Sequence, residues 1–196
     1  GGIGILLGVV AAMLVARVRY RRALLGALWL GALVSLRQPL LPPLPVMLAL
    51  RLVEGISHLA IVVAAPTLIS RIATDTQRGL ALTLWGTFFG VAFAVMAWVG
   101  RPLALAAGIP ALFAVHAAYM ACCALYLAPR LRTLPKEGEI PALSFAAVLV
   151  THRQIYTSPR IMAPAAGWLF YTFCFVSILT VLPPYLDAGI AALVMG

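Results

Sequence analysis

The chain has 196 residues, of which 64% are hydrophobic and 10% are charged, and its mean hydropathy is +1.07. Because a soluble domain is roughly half apolar and roughly a quarter charged, this composition excludes an ordinary soluble enzyme, a disordered tail and a disulfide scaffold. It predicts an all-α membrane protein, a polytopic bundle of transmembrane helices in a lipid bilayer. The net charge of +9 would suggest nucleic acid for a soluble protein. Here the basic residues lie between apolar runs and indicate membrane orientation, so no nucleic-acid partner is expected.

Both ends of the chain lie inside apolar runs, and the first methionine is Met13. A cleaved signal peptide would leave a polar start, so the pattern indicates a chain cut through a helix at each end. The expected fold is therefore truncated at both ends.

Seven apolar runs are predicted to be membrane helices, the first and last of them incomplete. In chain order they cover residues 1–16, 23–36, 46–70, 80–100, 103–128, 161–182 and from 190 onward. The proline-rich stretch 39–45 cannot continue a helix, and Arg101–Pro102 is predicted to separate the fourth run from the fifth. Residues 143–150 are apolar but too short to span a bilayer, so they are predicted to form a helix lying on the membrane surface.

The lysine and arginine residues fall almost entirely on one side of the predicted membrane. Counting alternate connections puts eleven of the fourteen on that side and only Arg37 and Arg101 on the other, with Arg51 inside a run. The eleven are Arg17, Arg19, Arg21, Arg22, Arg71, Arg78, Arg130, Arg132, Lys136, Arg153 and Arg160. The positive-inside rule then predicts that the loops at 17–22, 71–79 and 129–160 are cytoplasmic.

Arg51, Glu54 and His58 lie within the third run, where ionisable residues are costly and usually functional. A helix turns about 100° per residue, so all three share one face, near the middle of the bilayer, and all three are candidates for a role in transport or proton coupling. Arg51 and Glu54 are i, i+3 neighbours and are predicted to pair. Desolvation favours the neutral form of Glu54 while Arg51 favours its charged form, which makes Glu54 a candidate proton carrier. The alternative is that the two charges simply neutralise each other inside the bundle.

Other polar residues carry weaker signals. His116 is alone in its run and is interpreted as a structural histidine, a neutral imidazole hydrogen-bonded in the core. Gly86 and Gly90 have the four-residue spacing that is typical of close contacts between membrane helices.

The three cysteines have no metal or redox spacing, and no phosphate loop, zinc-protease or nucleophile-elbow motif occurs. No catalytic residue, metal or cofactor is therefore expected, and the protein is not expected to be an enzyme.

The third run resembles the fourth helix of the major facilitator superfamily. Arg51 and Gly55 match the arginine and glycine of that family's pattern, and Glu54 stands at its usual glutamine. The segment Arg78-Gly79-Leu80-Ala81 is similar to the start of the family's fifth helix, and Arg21–Arg22 to the paired basic residues between its second and third helices. The resemblance implies proton coupling at Arg51, helix packing at Gly55, Gly86 and Gly90, and cytoplasmic gating by Arg21, Arg22 and Arg78.

The resemblance also implies how the chain is organised. Residues 1–128 would be five helices of an N-terminal six-helix bundle, 129–160 a cytoplasmic linker, and 161–196 the start of a C-terminal bundle. The implied function is secondary transport of a small organic solute by alternating access in a plasma (inner) membrane, coupled to protons and directed toward efflux. The alternatives are a membrane-embedded enzyme and a receptor or assembly subunit that does not transport.

Overall fold

The computed structural model describes residues 14–15, 17–134, 144–182 and 185. Eight α-helices, one 3₁₀ turn and one π-helical segment make up nearly all of this described part. The elements are α1 (Tyr20–Arg37), the 3₁₀ turn (Gln38–Leu40), α2 (Leu44–Ile72), α3 (Asp75–Gly86), α4 (Phe88–Val95), the π segment (Met96–Gly100), α5 (Arg101–Ala107), α6 (Ile109–Thr133), α7 (Phe145–Thr157) and α8 (Pro159–Val181).

Five stretches of helix are long and apolar enough to cross a membrane. They are Tyr20–Leu40, Leu44–Ile72, Asp75–Ala107, Ile109–Thr133 and Pro159–Ile178. The all-α, polytopic membrane fold predicted from composition is therefore confirmed. The first predicted run, residues 135–143 of the predicted linker and the start of the seventh run lie mainly or wholly outside the described residues.

Three helices, α1, α2 and α6, pack around the core of the described residues. Leu24 and Leu28 of α1 meet Leu68 of α2 and Met120 of α6 there, together with small alanines that let the helices approach closely. Gly31 of α1 marks the tightest point. A Cβ atom at Gly31 would lie 2.5 Å from Met120 Cε and 2.8 Å from Ser57 Oγ.

The predicted helix break at Arg101–Pro102 is wrong. Helical backbone continues through the π segment into α5, and the chain turns only at Gly108, whose φ of 81° suits glycine. The Arg101 N–H bonds to the Met96 carbonyl, five residues back, so the α-helical bonding pattern is already interrupted where Pro102 enters. The missing N–H of the proline therefore does not end the helix, and Arg101 lies in helical backbone rather than in a loop.

Aromatic side chains join α8 to α4. The Phe88 and Phe89 rings lie 6.4 Å and 6.0 Å from the Trp168 ring between centroids, and Phe93 lies 5.1 Å from Phe175 in an edge-to-face arrangement. Such pairs contribute beyond their buried area. Contacts between aromatic rings therefore attach the sixth predicted run to the rest of the described chain.

The connection between α6 and α8 contains a longer helix than predicted. The short surface helix predicted at 143–150 corresponds to α7, which runs from Phe145 to Thr157 and begins with a hydrogen bond from the Ala147 N–H to Ser144 Oγ. Its position on the membrane surface, and the division of the chain into two bundles and a linker, stay predictions.

Replacing Gly31 with valine should destabilise the three-helix core. Because the added side chain would meet Met120 and displace the Ser57 hydroxyl, we expect a loss of about 1–3 kcal/mol in the free energy of unfolding. Gly26→Val is the matched control, since a Cβ atom at Gly26 has no neighbour within 4 Å. Unfolding of both purified variants in detergent measures the difference, and equal stabilities would contradict the packing described.

Candidate functional site

The centre of the candidate site is the carboxylate of Glu54 on α2. The prolines before and within the first turn of α2 set its start at Leu44, which places Glu54 about 15 Å along a helix of 29 residues. Only 4% of Glu54 is exposed. A buried carboxylate is tolerated only with hydrogen-bond donors or a countercharge, and three side chains supply them.

Arg51 supplies the charge. Its Nη1 lies 2.6 Å from Glu54 Oε2, one turn of α2 away, so the contact predicted from sequence is present. The guanidinium group also lies 5.0 Å from the centre of the Phe113 ring on α6. The Arg51 side chain is 51% exposed whereas that of Glu54 is 5% exposed, so the cation lies at the edge of the site and the anion lies inside it.

Ser35 and Gln38 supply neutral donors from the other side of the carboxylate. Ser35 Oγ lies 3.1 Å from Glu54 Oε1, and Gln38 Nε2 donates to Glu54 Oε2 at 2.9 Å. Both residues are fully buried. They were not predicted from the sequence, although a local sequence pattern indicates them. Two polar residues three positions apart at the end of an apolar run share a helix face, and the prolines that follow turn the next helix back toward them.

His116 also belongs to this cluster of polar side chains, and its hydrogen bond inside the bundle agrees with its interpretation as a structural histidine. Its Nδ1 atom on α6 lies 2.8 Å from Ser35 Oγ and 3.7 Å from Glu54 Oε1. The α6 helix packs against α1, and this packing brings together residues 81 positions apart. No local pattern in the sequence could reveal that pairing.

His58 lies at the edge of the cluster rather than on the carboxylate. Its Nδ1 is 2.9 Å from the backbone carbonyl of Glu54, which can only accept, so Nδ1 carries the proton. Its ring stacks on that of His116 with centroids 5.9 Å apart. The coupling role suggested for His58 stays a prediction.

Ser57 holds α2 against α1. Its hydroxyl donates to the Ala27 carbonyl at 2.7 Å, and the residue is 1% exposed. By contrast, a Cβ atom at Gly55, Gly86 or Gly90 would meet no neighbour within 4 Å in the described part of the chain. Their packing role stays a prediction, and Gly31 is the glycine at which two helices come close.

The loop arginines lie at the far end of the same helices. Arg21 Nη1 donates to the carbonyls of Leu131 and Leu134, both at 2.9 Å, and so joins the start of α1 to the end of α6. Arg78 pairs with Asp75 at 2.9 Å and donates to the Ser70 carbonyl across the α2–α3 turn. Arg22 is exposed. Gating by these three residues stays a prediction.

Several long apolar helices with an ionisable side chain buried among them are typical of an integral, multi-pass membrane protein. A family model described as Major Facilitator Superfamily matches residues 2–196, and the chain therefore belongs to that superfamily. The resemblance found in the sequence is thus confirmed. Searches of curated proteins and of solved structures returned no match.

Membership in this superfamily sets the general function. Its members are transporters that carry small solutes across a lipid bilayer, rather than enzymes, and transport of a solute is the general activity that the family supports for this chain. In the described residues, no group of three His, Cys, Asp or Glu side chains is arranged to hold a metal ion.

The hydrogen bond between Ser35 and Glu54 can be tested by a double-mutant cycle. Because the acceptor is a buried carboxylate, Ser35→Ala should cost about 1.5–3 kcal/mol of unfolding free energy, and less when Glu54 is already replaced by glutamine. The exposed Ser177→Ala is the matched control and should cost little. Additive effects of the Ser35 and Glu54 substitutions would contradict the contact.

Proposed function

We propose that this protein moves a small organic solute out of the cell in exchange for protons, and that Glu54 is the group that carries the proton. The observation that supports this proposal most directly is a buried carboxylate bound by donors from two helices and lying 3.7 Å from a histidine on a third. Intramembrane ionisable residues are rare because they are costly, and they are typical of proton and substrate pathways.

The unequal exposure of the ion pair supports a change in protonation during transport. Arg51 is half exposed, so it can leave the contact, whereas Glu54 is held by the buried Ser35 and Gln38. A buried charge that loses its partner is strongly destabilised. Departure of Arg51 therefore favours the protonated form of Glu54, and its return favours release of that proton. Because Phe113 of α6 also contacts Arg51, a shift of α6 against α2 would link helix movement to protonation.

The contacts of the loop arginines support gating at the opposite end of the helices from the α1–α2 connection. Arg21 ties the first turn of α1 to the end of α6, and Arg71 lies over the Tyr20 ring at 4.7 Å. Opening of this end would require some of these contacts to break. We place it on the cytoplasmic face of a plasma (inner) membrane, following the charge asymmetry of the loops at 17–22, 71–79 and 129–160.

Replacing Glu54 with glutamine should uncouple transport from the proton gradient. Membrane vesicles containing the full-length natural protein would be loaded with a panel of fluorescent organic dyes, and dye movement would be followed with and without an ionophore that collapses the pH gradient. We expect gradient-dependent movement in the wild type and its loss in Glu54→Gln, because the amide cannot carry a proton.

The matched control is Glu139→Gln, which makes the same chemical change in the predicted linker. Gradient-driven dye movement that survives Glu54→Gln would contradict Glu54 as the carrier. A wild type that moves none of the dyes would contradict efflux of organic solutes.

A further inference from the structure

We propose that Ser35 and His116 form a proton relay to Glu54, an inference that rests on the proposed function of Glu54 as the carrier. The three groups form a row of hydrogen bonds across three helices. His116 Nδ1 lies 2.8 Å from Ser35 Oγ, and Ser35 Oγ lies 3.1 Å from Glu54 Oε1. Both distances are within hydrogen-bond range.

The number of hydrogens on the three groups allows two patterns of donors and acceptors. The Ser35 hydroxyl has one hydrogen, so when it donates to the Glu54 carboxylate, His116 must donate its Nδ1–H to Ser35. When Glu54 is protonated and donates to Ser35, the hydroxyl turns and donates to a bare His116 Nδ1. The same three atoms therefore serve both states without moving the helices.

The conversion between the two states is a balanced proton transfer. A proton enters at His116 Nε2 and makes the ring an imidazolium ion. The Nδ1–H bond then breaks as a bond to Ser35 Oγ forms, while the hydroxyl proton of Ser35 passes to Glu54 Oε1. Imidazolium and carboxylate become neutral imidazole and carboxylic acid, with the total number of protons unchanged, and the reverse transfer releases the proton.

The different solvent exposure of the three side chains sets the direction in which the proton enters. The His116 side chain is 35% exposed in the described part of the chain, Ser35 is 0% exposed and the Glu54 side chain is 5% exposed. Protons therefore reach Glu54 through the more accessible histidine. Among the described residues, the charged or titratable groups around His116 are Glu54, Arg51 and His58, all on α2, and α1 contributes the neutral Ser35.

The relay is tested by the rate at which Glu54 takes up a proton after a rapid drop in pH. The signal is the component of proton uptake by the purified full-length protein that Glu54→Gln lacks. We expect Ser35→Ala to slow this component at least about tenfold, since positioned proton transfer contributes two or more orders of magnitude. Ser35→Thr, which keeps the hydroxyl, should restore it, and His116→Gln should slow it.

Ser177→Ala and His152→Gln are matched controls and should keep the wild-type rate. A Ser35→Ala rate equal to wild type, or a Ser35→Thr rate no faster than Ser35→Ala, would overturn the relay. If Glu54→Gln removes no component of uptake, the proposed function of Glu54 fails as well. The two failures are therefore distinguishable.

Discussion

The architecture around the site depends on the need to satisfy one carboxylate inside an apolar bundle. Placing an unpaired charge inside an apolar bundle is costly. Glu54 can therefore be buried only if hydrogen-bond donors reach it from several directions. Arg51 reaches it along α2, Ser35 and Gln38 reach it from the end of α1, and His116 approaches from α6. The polar contacts therefore favour one arrangement of three helices whose apolar surfaces would otherwise pack in several ways.

Close packing makes this arrangement possible. The missing side chain of Gly31 leaves room for Met120 and Ser57, and Ser57 bonds to the Ala27 carbonyl one turn before Gly31. Small residues at helix contacts allow backbones to approach. In this protein the approach brings the α1 hydroxyl of Ser35 within reach of groups on α2 and α6. The polar site and the packing of small residues thus support each other.

The fold was largely predictable from the sequence, because membrane helices are read from long apolar runs that need no tertiary information. The Arg51–Glu54 contact was also predictable, since i, i+3 spacing is a local property of a helix. The participation of His116 was not, because it depends on the packing of helices far apart in sequence. The error at Pro102 has a different origin, namely a π segment that adapts the helix to the proline. The match to the family model covers nearly the whole chain, whereas the polar cluster follows from the particular side chains of this sequence.

The central claim is that Glu54 can gain and lose a proton while it is buried. Infrared difference spectroscopy of the full-length protein between acidic and alkaline pH measures this directly, because only a protonated carboxyl group absorbs as a carbonyl of a carboxylic acid. The account predicts that, on acidification, the wild type shows one component of this band that Glu54→Gln lacks and that Glu139→Gln retains. A difference spectrum unchanged by Glu54→Gln would contradict the account.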